Sequence, residues 1–474
     1  MSRSHAEILD PLEAIRAIDA PAWLVGGSVR DRLLGRPTSD YDVTVAGEPQ
    51  AVARRLAQLV SGPIFRLSEG FGGWRVIAPD RSWNVDVLPL AGASIEEDLA
   101  RRDLTINAIA QQLPDGDLID PFGGAGDLQD RRLRMVSAEA FAQDPLRSLR
   151  LIRIACELGF SIEAGTAAAA ARNAPGLARV APERQFAEFK RIISSERALS
   201  GMELIDELSV MPVLLPELAA LRGVGQSPYH HLDVYEHTLA VLAETIELER
   251  APDRFLGSEA RAVSEFLAQP LANELTRWQA LRFGALLHDI AKPQTREVNA
   301  QGRITFMGHD AAGGRTAAAI LIRLRASERL AEHIAALARH HLRLGFLVHE
   351  MPLTRRAVYR YLRECDPVQV DVTVLSVADR LATRGARSDE AIRKHLRLAD
   401  QLLVEALAWV ANPPRPPVRG DELARALGIE PGPELGSILQ ELEEASFAEE
   451  IDSDEQAVTR AREILRERSG GARA

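Results

Sequence analysis

Two acids set two residues apart, Asp40 and Asp42 in SDYDVTV, are the residues of this chain best placed to do chemistry. They follow WLVGGSVRDRLLG (23–35), an apolar run that enters Gly26-Gly27-Ser28 and continues with a helical pattern. The apolar and aromatic residues around the acids predict a strand. On a strand, residues i and i+2 share a face, about 6.6 Å apart along the backbone. Two carboxylates so placed converge on one hard cation such as Mg²⁺. Glycines let backbone N–H groups approach a phosphate, and the helix N-terminus favours negative charge. Gly27 and Ser28 are therefore candidate nucleotide contacts, and Arg30, in the first helical turn, is placed to meet triphosphate oxygens. In WNVDVLPL, Asp86 interrupts an apolar strand, which is costly unless the acid is paired or metal-bound. Asp40, Asp42 and Asp86 on neighbouring strands suit a two-metal phosphoryl or nucleotidyl transfer.

A second constellation lies far along the chain. Nine of the 11 histidines fall between 230 and 349, seven of them in HHLDVYEHTL (230–239), ALLHDIAKP (285–293), FMGHDAAGG (306–314) and ALARHHLRL (336–344), and an acid follows in VLSVADR (374–380). Imidazoles and carboxylates brought together from separate helices make a cage for a divalent transition metal. His5, His231, His333, His349 and His395 read as ordinary core or surface residues.

The elements that must position these groups fall into four stretches. Residues 22–135 mix short strands (AWLVGG, YDVTVAG, WRVIAP, WNVDVLPL) with glycine-rich turns. From about 136 the pattern is helical, rich in Ala, Leu and Arg, with boundaries at VGQSPYHH (224–231) and at the stiff ANPPRPPVRG (411–420). The expected division is 1–135, 136–223, 224–410 and 411–474, an α+β head followed by helical parts. The 474 residues, 46% hydrophobic and 26% charged, exclude a wholly disordered chain, a collagen or a disulfide miniprotein. No apolar run reaches the roughly 18–20 residues of a membrane span. An N-terminus without an apolar leader, and only Cys156 and Cys365, predict a reducing, cytoplasmic setting. Net charge is −11, yet residues 131–154 carry six arginines against Glu139 and Asp144, a local anion-binding face.

With these residues in view, the chain resembles the class II tRNA nucleotidyltransferases and bacterial poly(A) polymerases of the DNA polymerase beta superfamily. SIEEDLARRDLTINAIA (94–110), DLIDPFGGAGDL (117–128), FAQDPLRSLRLIR (141–153) and APERQFAEFKRI (181–192) look like its second to fifth motifs, and RGDELARALGIEPGPELG (419–436) like its tail. The resemblance implies an N-terminal polymerase-beta-like nucleotidyltransferase head of mixed sheet plus helices, then an all-helical neck, HD domain and tail. It implies selection of CTP or ATP by side chains. In DPLRSLR, Asp144, Arg147 and Arg150 recur on one helix face. A carboxylate accepting the amine and a guanidinium donating to the ring suit cytosine and adenine, so Asp144 and Arg147 are the expected base-reading pair. Arg150 and Arg102 are expected to hold the triphosphate or that helix, and Asp103 and Asn107 to clamp the sugar end or buttress Arg102. Asp120-Pro121-Phe122-Gly123-Gly124 reads as a structural turn.

Two departures stand out. Gln143 occupies the place of the family's usual acid, and VDVLPLAG (85–92) runs almost directly into SIEEDL where many CCA-adding members carry a long loop. The short connection resembles the CC-adding subgroup. The histidine-rich stretch resembles HD phosphohydrolases, with His237, His288, Asp289 and Asp379 as ligands and Lys292 in an HD-x-x-K variant. His309, with His340 or His341, resembles the extra ligands of two-metal members. Expected partners are the tRNA acceptor end, CTP and ATP, with no membrane; a homo-oligomer is left open. Arg131–Arg134, Lys190, Arg191 and Arg197 are candidate RNA contacts. The rival readings are a poly(A) polymerase, a signalling nucleotidyltransferase paired with an HD hydrolase, and a non-catalytic RNA-binding protein.

Overall fold

The computed structural model describes residues 11–18, 20–67, 72–226, 232–383 and 388–471. His5 and His231, and the end of the 224–231 boundary stretch, lie outside them. The chain forms two compact units, Met1–Leu214 and Leu215–Ala474.

The first unit is built on a mixed sheet of β1 (Ala22–Val25), β2 (Asp40–Val45), β3 (Ile64–Arg66), β4 (Trp74–Ile77), β5 (Asn84–Pro89), β6 (Ala110–Gln112) and β7 (Leu118–Ile119), in the order β3-β4-β5-β2-β1-β6-β7. Among the described pairs of this sheet, only β2 and β5 run parallel; their register sets Asp40 beside Asn84 and Asp42 beside Asp86. The alternation read from the sequence is kept: Val43, Val45, Val85 and Val87 are fully buried, so the acids between them must face the other side. Helices α1 (Pro11–Arg16), α2 (Gly27–Leu33), α3 (Pro49–Val60), α4 (Ile95–Ala100) and α5 (Gly124–Gln129) belong to this half. The four strands expected from the sequence are present. β3, β6 and β7 were not signalled, being two to three residues long with little apolar alternation.

Asp120 accepts from the backbone N–H groups of Gly124 (2.7 Å) and Ala125 (2.9 Å) and so starts α5. A Cβ at Gly124 would lie 2.2 Å from the Thr105 carbonyl oxygen, so this turn packs directly on the segment that carries Asn107. Helices α6 (Ala140–Gln143), α7 (Arg147–Leu158), α8 (Ala164–Asn173) and α9 (Pro182–Ser194) follow. α7 and α9 pack together with Leu149, Ile152, Phe189 and Ile192 buried; Arg150, Arg184 and Arg191 are exposed, whereas Arg153 is buried and pairs with Glu188 of α9 (2.5 Å).

The second unit is mostly helical, not wholly so as the sequence predicted: two short antiparallel pairs, Pro270–Ala272 with Leu275–Thr276 and Glu297–Val298 with Ile304–Thr305, link its helices. Val234–Arg250, Arg277–Leu287, His309–Arg323, Glu328–His340 and Gln369–Ala382 enclose a core that includes Leu281, Phe283, Ile334 and Leu375. The final helices, Gly420–Leu427, Pro433–Phe447 and Asp454–Gly471, gather around Leu423, Ile438, Leu442 and Ile464. No helix among the described residues is long and apolar enough to cross a membrane.

Candidate nucleotidyl-transfer and metal sites

The acid pair stands where β2 leaves α2. The Ser28 hydroxyl accepts from the Asp42 backbone N–H (2.8 Å) and donates to the Asp40 carbonyl (3.2 Å), which fastens the start of the strand to the helix. Asp40 is exposed and takes a hydrogen bond from Asn84; Asp42 is half-buried. Burial pushes the Asp42 carboxyl above its ordinary value; Arg102 opposes that shift and Asp86 adds to it. Two hard oxygen donors, one of them raised by burial and a neighbouring acid, fit a divalent cation such as Mg²⁺. Asp86 stands in register beside Asp42, but both its oxygens are taken by Arg75 (2.6 and 2.7 Å), a bidentate pair.

Asp42 opens into a cleft of about 430 Å³ that also collects Gly26, Gly27, Asp98, Arg101, Arg102, Asp103, Asn107, Asp144, Arg147, Arg150 and Arg184. Of the sequence candidates, Gly27, Asp42, Arg102, Asp103, Asn107, Asp144, Arg147 and Arg150 border it, while Asp40, Asp86, Ser28 and Arg30 do not. Ser28 works from beneath as the clamp already described. Arg30 turns away from the cleft: it binds Asp31 through two nitrogens (2.9 Å each) and donates to the Asn107 side-chain oxygen (2.8 Å).

Behind the cleft wall, Asn107 donates to Asp103 (2.9 Å) and Arg150 pairs with the other Asp103 oxygen (2.7 Å). Burial alone would raise the Asp103 carboxyl, but Arg150 and Asn107 hold it below its usual range. Asp103 therefore supports Arg150, and the support expected for Arg102 comes from Asp98 instead (3.1 Å). Arg147 spends Nη1 on the Ala140 and Arg102 carbonyls (3.1 and 3.4 Å) and Nη2 on the Arg101 carbonyl (2.6 Å). Asp144 is paired with Arg184 on α9 (2.8 Å). Sequence reasoning passed over Asp98, Arg101 and Arg184. All three lay inside the quoted motifs, in EEDLARRD and APERQ, but nothing in the spacing says which face turns inward. Gln143 is exposed at the end of α6.

In the second unit, Asp289 is the hub. His288 Nε2 lies 3.1 Å and His237 Nε2 3.8 Å from its Oδ2; His309 and His341 Nε2 lie 3.3 and 3.6 Å from its Oδ1. His237 Nε2 also approaches Asp379 (3.0 Å), and Lys292 Nζ sits 2.6 Å from Asp289 Oδ2. Two donor groups share the one carboxylate, His237–His288–Asp289 and Asp289–His309–His341. His340 belongs to neither; one residue along a helix rotates the side chain by about 100°, and of the two adjacent histidines His341 is the one turned in. His333 and His395 are buried beside Asp371 and Ser376, and His349 is exposed.

The hydrogen bonds of the rings test the fit of a metal. Nδ1 of His288, His309 and His341 each faces the carbonyl three residues back (2.8, 2.7 and 2.7 Å). A carbonyl only accepts, so each Nδ1 donates, and the Nε2 atoms are left facing the carboxylate. Burial pushes the His341 imidazole below its ordinary value, so it is neutral and its Nε2 carries a lone pair. A lone pair and a carboxylate oxygen repel across this gap unless a cation lies between them, and a backbone-anchored Nδ1–H is the usual support of a metal-binding histidine. Burial alone would raise the Asp289 carboxyl, but His288 and Lys292 hold it well below its usual range, so it is a charged donor.

A sheet with paired acids under an arginine-lined cleft, in one chain with an Asp-centred histidine cluster, defines a nucleotidyltransferase head combined with an HD domain. Residues 22–134 match the poly A polymerase head domain, 159–221 the probable RNA and SrmB-binding site of polymerase A, and 234–384 the HD domain. The A-adding tRNA nucleotidyltransferase of Deinococcus radiodurans is 35% identical over 444 residues, covering 92% of this chain and 94% of that protein. The CC-adding tRNA nucleotidyltransferase of Thermus thermophilus is 34% identical, covering 92% of each. A CCA-adding enzyme solved with ATP superposes with a TM-score of 0.65 at 20% identity, over 97% of both chains, which shows the same fold. The chain belongs to the tRNA nucleotidyltransferase and poly(A) polymerase family.

Proposed function

We propose that the chain adds nucleotides, without a template, to the 3′ end of tRNA, taking CTP and stopping after the cytidines. One observation carries the reading: Asp42 opens into a cleft walled by five arginines, Arg101, Arg102, Arg147, Arg150 and Arg184. That wall suits a triphosphate, whose oxygens guanidinium groups bind in a fork. Asp40 and Asp42 would hold Mg²⁺, which when bound lowers the barrier to attack of the tRNA 3′-hydroxyl on the α-phosphate and steadies the departing pyrophosphate.

The chain's own groups do the rest. Ser28 fixes the acid pair, Arg102 and Arg150 grip phosphate oxygens, and Asp103 with Asn107 holds Arg150 in place. Asp144 accepts the base amine, and Arg147, its guanidinium plane set by three carbonyls, reads the ring; Arg184 steadies Asp144. Asp86, bound by Arg75, would join the metal site only by exchanging that partner. In this division 1–135 is the chemical head, 136–223 the base-reading neck, 224–410 the HD domain and 411–474 the tail. The short connection after β5 and the CC-adding activity named for the Thermus thermophilus relative support the CC-adding form; A addition, named for the Deinococcus radiodurans relative, is the rival outcome of the assay below. A tRNA substrate sets the working compartment as the cytoplasm.

The HD site is read as a phosphoester hydrolase centre. His237, His288, Asp289 and Asp379, with His309 and His341, would hold one or two divalent ions, which when bound activate water against a phosphate ester. Lys292 would steady the ester's charge.

The test of the transfer reading is incubation of tRNA lacking its last three nucleotides with single labelled triphosphates. Two cytidines and no adenosine are expected. C followed by A, A alone on a tRNA ending in CC, or a long A tract each replaces the CC-adding form with another; no incorporation overturns the reading.

A further inference from the structure

Asp98 lies in α4, 7% exposed, and its two oxygens do different work. Oδ1 accepts from the backbone N–H of Ala91 (3.1 Å), in the connection between β5 and α4. Oδ2 accepts from Arg102 through Nη2 (3.1 Å) and Nε (3.4 Å). The neighbouring Glu97 ties the same connection by accepting from the Ala93 N–H (2.9 Å). Two adjacent carboxylates of the helix thus hold the segment that leads into it.

A guanidinium offers its N–H groups in a rigid planar fork. Once Asp98 takes the Nε/Nη2 edge, the direction of Nη1 is settled. Nη1 lies over Gly26, where a Cβ would come within 2.7 Å of it and 3.5 Å of Asp42 Oδ2. The free edge of Arg102 is therefore the one turned toward the acid pair. Ala91, Asp98, Arg102, Gly26 and Asp42 all border one cleft.

We propose that Asp98 is a positioning residue that aims Arg102 at the incoming triphosphate and couples that aim to the conformation of the β5–α4 connection. The proposal rests on the reading of this cleft as the triphosphate site. Releasing either partner leaves a buried charge or a buried N–H unmatched, so connection and guanidinium move together or not at all. Successive nucleotides then meet one fixed geometry.

The test uses the full chain, CTP and truncated tRNA, with kcat and KM separated. Asp98→Asn keeps an oxygen for the Ala91 N–H but removes the charge that fixes Arg102. KM for CTP is expected to rise about tenfold, with KM for tRNA unchanged. Added to Arg102→Lys, Asp98→Asn should cost less than about twofold more, because both act through one guanidinium. An unchanged KM for CTP, or fully additive effects, overturns the proposal. The reciprocal arm does not depend on Asp98→Asn folding: in Arg102→Ala, hydrogen exchange at the Ala91 and Ala93 amides should speed about tenfold or more. Unchanged protection there refutes the coupling. Absence of CTP incorporation by the unmodified chain would sink the transfer reading alone, since the exchange arm still reports on the bracing.

Discussion

Gly26→Ala probes the packing on which the cleft depends. Gly26 precedes α2 with φ +69° and ψ −133°, a conformation L side chains rarely adopt. Forcing alanine into it costs on the order of 1–3 kcal/mol. For a unit of this size, a loss of about 2 kcal/mol lowers Tm by about 4–8 °C. The new Cβ would also sit 2.7 Å from Arg102 Nη1, closer than non-bonded atoms tolerate, so the guanidinium must swing away. A charge-assisted hydrogen bond to a phosphate is worth about 1.5–3 kcal/mol, so kcat/KM for CTP should fall about 10- to 100-fold. Scanning fluorimetry reads the first effect and single-nucleotide incorporation the second. If Gly26→Ala keeps both the wild-type Tm and a kcat/KM within about twofold, the close approach of Arg102 to Gly26 is not what places that guanidinium, and the reasoning fails.

Three further outcomes follow from the same contacts. Asp42→Asn should lower nucleotide incorporation by about a thousandfold or more while Tm changes little, because the loss is of cation affinity and not of packing; a near-normal rate would contradict the placement of the acid pair. Asp289→Ala should abolish bound divalent metal, measured by elemental analysis, and any hydrolysis of a model phosphodiester, and leave CTP incorporation intact; full metal occupancy in the variant would exclude Asp289 as the hub. Asp127 is buried against Thr105, Arg132 and Arg134; burial alone would raise its carboxyl, but these three hold it below its usual range. A depressed folded value gives stability that is complete above the unfolded carboxylate range, about pH 4, and is lost as pH falls through the folded value. Asp127→Asn should therefore cost about 1–3 kcal/mol at neutral pH, and denaturant melts at falling pH should show that difference shrinking only below about pH 4; a gap independent of pH would refute it.

How much was legible beforehand differs between groups. The period-2 alternation of DYDVTV and NVDVLP fixed which faces the acids take, because apolar partners at every other position leave one way to bury a strand. The His288-Asp289 step after an apolar helix announced a buried polar end, and the order of motifs placed both sites in one chain. Hydrogen-bond partners far apart in sequence were another matter. Asp144 pairs with Arg184, 40 residues away, through the meeting of α6, α7 and α9, and Arg147 turns to three carbonyls, one in α6 and two at the end of α4.

The sequence by itself determined the local faces and the kinds of donor at each site, since these depend on backbone periodicity and side-chain chemistry. Only the tertiary structure decided which of His340 and His341 turns toward Asp289, that Arg30 binds Asp31 and Asn107 and leaves the cleft to others, that Arg75 occupies Asp86, and that Asp98 serves two masters. A side chain with several donors or acceptors has many local partners in reach of its rotamers. The choice among them is made by neighbouring elements, whose approach is set by packing across the whole unit and is not written at any one position.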